Sequence, residues 1–232
     1  MKIVIQLFCL LIASNLFGQK FSSAIELTKD SDTTFWYGYH LKNIEKINLI
    51  KPDSDTDFLR VSSSRYFLEI SPIANRMVFY ANELWKGVQT GESFIKSYDL
   101  TAQQVSDIKQ LYKKLDVQKI PSDKFIKSWQ QGFDGITYII EEKSHKLYAF
   151  KNYWTPSAQY EFDESRRILA FTSTIEEIVD YSSKWKEFQR EIPFYGWTYN
   201  GSLIVLKVIV NTKEYRKYKR KKNRQLRDKK LQ

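Results

Sequence analysis

The sequence predicts an α+β fold: a single domain with a mainly antiparallel β-sheet and two principal helices. Three observations predict it. Short runs rich in β-branched and aromatic residues recur along the chain, bounded by Gly, Pro, Asn and Ser. Two stretches carry apolar residues at helical spacing. The pair Asn200-Gly201 sits between two strand-like runs and is the preferred dipeptide of a type I′ hairpin turn. Strand runs with two interspersed helices fit an antiparallel sheet better than regular βα alternation does.

Taken in order, Thr33–Tyr39 (TTFWYGY) reads as a strand, because aromatic and β-branched residues suit a pleated surface. Leu41–Ile50 fits either a short helix or a strand. Pro52-Asp53-Ser54-Asp55 breaks the chain. Phe58–Ile70 holds two short strands around Ser62-Ser63-Ser64, and Met77–Tyr80 and Ser93–Tyr98 are two more, with a turn near Thr90-Gly91. Thr101 and Gln104 form a capping box, and Val105, Ile108, Leu111, Tyr112 and Leu115 continue it as a helix. Gly135–Asn152 reads as a hairpin turning near Lys143-Ser144-His145, with Ile136, Tyr138, Ile140, Leu147 and Ala149 on one face. A second helix is expected from Thr155-Pro156, with Ile168, Phe171, Ile175, Ile178 and Val179 as its apolar stripe. Ile192–Tyr199 and Ser202–Val210 flank the Asn200-Gly201 turn.

The first eighteen residues carry an address. Lys2 is followed by an apolar run from Ile3 to Phe17 and then by Gly18, the pattern of a secretory signal peptide. The run is short for a membrane helix, which needs about 20 apolar residues. The expected organisation is signal peptide 1–18, flexible leader 19–32, domain 33–212 and basic tail 213–232. The mature protein is expected to be exported, to the periplasm or beyond. Its one cysteine, Cys9, lies within the apolar run, so disulfide and thiolate chemistry are excluded from the mature chain. With 42% hydrophobic and 16% aromatic residues, packing can supply the stability instead.

The formal charge of +10 is segregated. Residues 213–232 hold eleven Lys and Arg against two acids, while the body carries 25 of each sign. The body therefore offers no net basic surface. Within the tail, Arg216, Lys217, Lys219, Arg220, Lys221, Lys222 and Arg224 are the candidate anchors for an anionic membrane or envelope surface. The plainer reading is a solvated, partly helical tail. Export argues against nucleic acid as its partner.

Known local signatures of chemistry are missing. There is no G-x-S-x-G, no phosphate-binding loop and no dinucleotide fingerprint. His40 and His145 are not at ligand spacing, and Asp53, Asp55 and Asp57 lack the glycine and later glutamate of a calcium loop. No metal, cofactor or catalytic residue is assigned. The segment from Trp129 to Gly135 and the segment from Lys151 to Pro156 meet at the open end of the predicted hairpin. They gather Trp129, Phe133, Asp134, Lys151, Asn152, Tyr153 and Trp154, aromatic faces beside hydrogen-bonding groups, which suits a sugar ring, a peptide or an apolar ligand. Gly132 and Gly135 allow close approach there. The same aromatics could equally cap the core.

The pattern W-QQGFDGITYIIE…KNYWTPSAQ, preceded by LTAQQ and IPSDK, resembles uncharacterised secreted proteins of Bacteroidetes-type bacteria over roughly residues 95–180. The resemblance implies export and a shared fold, and it brings no activity with it. The expected function is a secreted, non-catalytic module that binds an unknown protein or small ligand. A hydrolase of envelope polymers, with Asp134 and Glu141 as its acids, is the rival.

Overall fold

The computed structural model describes residues 25–132, 134–199, 203–207 and 211–230. The expected signal segment 1–18, the start of the expected leader, Phe133 and the expected turn at Asn200-Gly201 lie outside these residues. Among the described residues nine strands form one curled, mostly antiparallel sheet, with five α-helices. The strands are β1 (Glu26–Leu27), β2 (Phe58–Ser62), β3 (Phe67–Ile70), β4 (Asn75–Trp85), β5 (Val88–Asp99), β6 (Thr137–Ser144), β7 (Leu147–Trp154), β8 (Gly196–Tyr199) and β9 (Leu203–Leu206). The helices are α1 (Trp36–Lys46), α2 (Ala102–Lys114), α3 (Asp163–Ile178), α4 (Tyr181–Glu191) and α5 (Lys213–Lys230).

The order across the sheet is β1-β7-β6-β2-β3-β4-β8-β9, and β5 pairs with the other edge of β4. β1 joins β7 in parallel; the other pairs are antiparallel. Opposed residues share a face, so the register sorts every side chain. One face carries Leu59, Val61, Leu68, Met77, Phe79, Ala81, Ile140 and Tyr153, packed against Ile108 and Tyr112 of α2, Ile168, Phe171 and Ile175 of α3, and Phe188 of α4. The opposite face carries Phe67, Val78 and Tyr80 under Ile44 and Ile47, and Ile139, Tyr148 and Phe150 beside Tyr37. Helices on both faces make the sheet a middle layer.

Several expected elements stand. The capping box of α2 forms, with the Gln104 backbone N–H on Thr101 Oγ1 and the Thr101 N–H on Gln104 Oε1. The β2–β3 and β6–β7 hairpins and the buried stripe of Ile168, Phe171, Ile175 and Val179 are also in place.

Others are corrected. Among the described residues there are five α-helices, not two. Residues 36–46 form a helix where the run Thr33–Tyr39 predicts a strand, because Tyr37, Leu41 and Ile44 (with His40 and Ile47) fall at helical spacing and bury against the sheet. Tertiary packing here overrides β-propensity. α3 starts at Asp163 rather than at Thr155, since residues 156–158 make a separate 3₁₀ turn. α4 goes unread in the sequence although Tyr181, Trp185, Phe188 and Ile192 repeat at helical spacing against the core. The β4–β5 turn is at Lys86-Gly87, both at positive φ, and Gly91 sits in a bulge opposite Glu83.

The leader is not loose where it is described. Glu26 donates its backbone N–H to Lys146, just before β7, and Thr28 and Asp32 donate theirs to Tyr148 and Phe150 of β7. The tail is a docked helix: Tyr215 and Tyr218 pack on Trp85 and Tyr195, and Lys222 is buried between Glu83 and Glu92. No helix among the described residues is long and apolar enough to cross a membrane.

Candidate functional site

The outer edge of β7 is satisfied piece by piece, and this assembles the site. After β1, Ser31 Oγ accepts the Phe150 N–H, Ser122 Oγ accepts the Asn152 N–H at 3.0 Å, and Asp123 Oδ2 accepts the Trp154 N–H at 2.7 Å. An exposed strand edge is thereby closed without another strand. The same pairing brings Asp32 and Asp123, remote in sequence, to one end of β6 and β7. The N-terminal turn of α1 comes over this end, and a recess of about 540 Å³ opens between them. Its lining includes Asp32, Phe35, Trp36, Asp123, Lys124, Ile139, Asn152 and Trp154.

The rim is aromatic and open. Phe35 is 66% exposed and Trp36 40% exposed, and their rings meet edge to face. Trp154 lies across Gly132 and Gly135. A Cβ at Gly132 would meet the Trp154 ring at 2.4 Å, and one at Gly135 would meet Thr155 Oγ1 at 1.9 Å. Both glycines are therefore required by the indole and its neighbour, which is the close approach the sequence suggests at these positions.

The polar lining is asymmetric. Asp32 Oδ1 accepts from Thr34 N, Thr34 Oγ1 and Lys124 Nζ, the last at 2.5 Å. Burial works to raise its pKa, but these three donors outweigh it and hold the carboxyl below its usual range. Asp123 is pushed the other way. Burial raises it, helped by the charge of Asp32, and the Trp154 N–H and Gln131 only partly offset this. Asn152 donates its amide N–H to the Asp32 carbonyl at 2.9 Å, while its Oδ1 is buried without a partner among the described residues. The register places Ser62, Ile139 and Asn152 in one cross-strand row on the α1 face. Ser62 Oγ is buried and unpartnered in the same way. Buried polar atoms are normally paired, and of these two only Asn152 borders the recess, where its free acceptor can meet a hydrogen-bond donor.

The next row of the α1 face is a ladder of charge. Arg76, Glu69, Arg60 and Glu141 are directly opposed on β4, β3, β2 and β6. Arg60 donates to both Glu141 oxygens at 2.8 and 3.0 Å and to Glu69 at 2.7 Å; Arg76 reaches Glu69 at 3.2 Å. His40 of α1 and the Tyr148 hydroxyl complete Glu141. Burial alone would raise Glu141, but Arg60 and His40 outweigh it and bring it down to about 2. His40 therefore has a structural place, pinning α1 to the sheet.

The residues proposed from sequence divide by face. Asn152 and Trp154 line the recess. Trp129, Lys151 and Tyr153 belong to the opposite side: Trp129 is in the core and donates to the Trp154 carbonyl, Tyr153 donates to the Ile120 carbonyl, and Lys151 is buried on the carbonyls of Gln118 and Ile120 and on Asp30. Trp129 and Tyr153 belong to the core, and Lys151 is buried in its own hydrogen bonds and ion pair. Asp134 is exposed outside the recess, and Phe133 lies outside the described residues. Asp134 and Glu141 do not form an acid pair, because Glu141 is fully buried in the charge ladder. In the tail, Arg216, Lys217, Lys219, Arg220, Lys221 and Arg224 are exposed, but Lys222 is buried in its ion pairs and is not available to a surface. His145 sits exposed at positive φ in the β6–β7 turn. Phe35, Trp36, Asp32, Asp123 and Lys124 are the recess residues that sequence reasoning misses. The paired aromatics Phe35-Trp36 were the available signal, hidden by the strand reading of their run.

No protein-family model, no curated protein and no solved structure matches this chain.

Proposed function

We propose that the chain is a single exported domain that binds, without transforming it, a neutral or amino-bearing hydroxylated ring such as a sugar. The observation that carries the reading is the pairing of exposed aromatic faces with the unpartnered Asn152 Oδ1 in one recess. Aromatic rings take the apolar face of a sugar, and fixed acceptors take its hydroxyl groups. Two carboxylates against one lysine disfavour an acidic ligand. The export segment and the envelope polymers such a protein would meet fit this ligand class.

Isothermal titration against a panel of neutral and N-acetylated oligosaccharides tests the reading. Binding by the mature chain that weakens about tenfold or more in Trp154→Ala supports it, since one aromatic contact contributes about 0.5–1.5 kcal/mol beyond its buried area. Undiminished binding in Trp154→Ala and Trp36→Ala together removes the recess from the account.

One observation favours a second reading. Asp32 and Asp123 share the recess with pKa values moved in opposite directions, the arrangement by which a carboxylate pair divides acid and base roles. Release of reducing ends from any panel member, abolished by Asp123→Asn, would make the domain a hydrolase. Binding without product keeps it a binding module.

A further inference from the structure

We infer that α5 is a preformed docking face for an anionic lipid surface, independent of the recess. The helix separates its cations into two sets. One cation turns inward and is spent: Lys222 lies 2.6 Å from Glu83 and 2.8 Å from Glu92, on the side of the helix where Tyr218 also bonds to Glu83 and Asn223 accepts the Trp85 indole N–H. Among the described residues Lys222 is the one cation of α5 in an ion pair. The outward set faces solvent. Lys217, Arg220, Arg224 and Arg227 recur at spacings of three and four residues, so they form a single stripe about 15 Å long at a rise of about 1.5 Å per residue.

A second element extends this stripe. Lys86 from the β4–β5 turn, with Val88, borders an open groove of about 1240 Å³ against Arg220, Arg224, Leu226 and Arg227. Val88 is 55% exposed. Cations on two rigid elements with apolar side chains between them match the boundary of a bilayer, where head-group charge lies above acyl chain. A nucleic acid backbone would use the charges and gain nothing from Val88 or Leu226. The open groove encloses no single anion. The recess lies at β6 and β7, three and four strand positions from β4 across the sheet.

The test is co-sedimentation of the mature chain with phosphatidylcholine vesicles, with and without phosphatidylglycerol, at low ionic strength. The expected result is binding that requires phosphatidylglycerol and weakens with salt. A quadruple variant, Lys217→Gln, Arg220→Gln, Arg224→Gln and Arg227→Gln, should lose it by about tenfold or more. These side chains are exposed, and an unchanged melting curve establishes that the variant folds. Removing the same charge elsewhere, with Lys109→Gln, Lys113→Gln, Lys114→Gln and Lys127→Gln, should leave most of the binding. Val88→Ser should weaken vesicle binding but not any binding to a duplex oligonucleotide. Equal losses in the two quadruple variants, no binding to phosphatidylglycerol vesicles, or tighter binding to the oligonucleotide than to vesicles would each overturn the inference.

Discussion

The sheet has two covered faces that are held by different physics. Against α2, α3 and α4 the contacts are apolar and continuous, from Val61 and Phe79 through Phe171 to Phe188, all fully buried. Against α1 the floor holds Arg60, Glu69 and Glu141, equally buried, and beside them a recess bordered by the unpartnered Asn152 Oδ1. Among the described residues both faces bury polar atoms without a hydrogen-bond partner, the Tyr66 and Tyr181 hydroxyls and the Trp197 indole N–H within the apolar core, but on the α1 face Ser62 and Asn152 stand in one row and Asn152 borders an open recess. The difference teaches where the molecule is built for stability and where it has accepted a penalty that stability alone does not explain.

The comparison breaks most visibly on the apolar face. Phe171→Ala should destabilise the protein by about 3–5 kcal/mol, the usual cost of an aromatic deletion in a core that cannot collapse. Urea unfolding measures it. Trp36→Ala, at the rim of the other face, should cost under about 1 kcal/mol, as exposed substitutions do. Similar costs for the two would remove the distinction between the faces.

The charge ladder gives the next effect. Glu141→Gln leaves Arg60 and His40 facing a neutral amide and should cost about 3 kcal/mol at neutral pH, as expected for a buried pair that loses one partner. The folded pKa of Glu141 lies below its unfolded value. Its contribution is therefore complete above the ordinary glutamate range of about 4.3–4.5 and is lost as pH falls through that range to about 2. Denaturant unfolding of both proteins across that window should show the gap closing with acid. A gap that stays constant would mean that the carboxylate charge is not what stabilises the ladder.

Smaller changes sharpen the recess. Gly132→Ala places a methyl group against the Trp154 ring and should displace it, with a loss of about 1–3 kcal/mol from overpacking and a loss of any recess ligand. Ser62→Ala is the smallest and the most discriminating. Removing an unpartnered buried hydroxyl that does not line the recess should leave stability unchanged or raise it by under about 1 kcal/mol and leave recess binding intact. A clear loss of stability in Ser62→Ala would show that the hydroxyl serves the fold.

Elements marked by local chemistry were legible in the sequence. Thr101 and Gln104 announce α2 through their own hydrogen bonds, and the β6–β7 pair follows from alternation. What depended on long-range packing was not legible. The run Phe35–Tyr39 favours a strand by composition, and only the sheet beneath Tyr37 and Ile44 decides for a helix. Arg60, Glu69 and Glu141 look like ordinary exposed strand charges until the register opposes them. Part of the recess was visible: Asn152 ends the hairpin that the sequence predicts, and Trp154, Gly132 and Gly135 belong to the segments it places at the open end. Asp32 and Asp123 arrive through backbone pairing along β7 that no local pattern encodes. The parity of β7 also explains the division of the proposed residues, since Lys151 and Tyr153 point opposite to Asn152 and Trp154.

The six tryptophans make the central claim directly measurable. Trp36 and Trp154 line the recess, while Trp85, Trp129, Trp185 and Trp197 lie elsewhere. Indole N–H signals in a ¹⁵N correlation spectrum, followed during titration with the oligosaccharide panel, report on all of them at once. Saturable shifts of Trp36 and Trp154 are expected, with the other four unmoved. Shifts centred on Trp85 or Trp129, or a spectrum that no panel member changes, would contradict a binding recess on the α1 face.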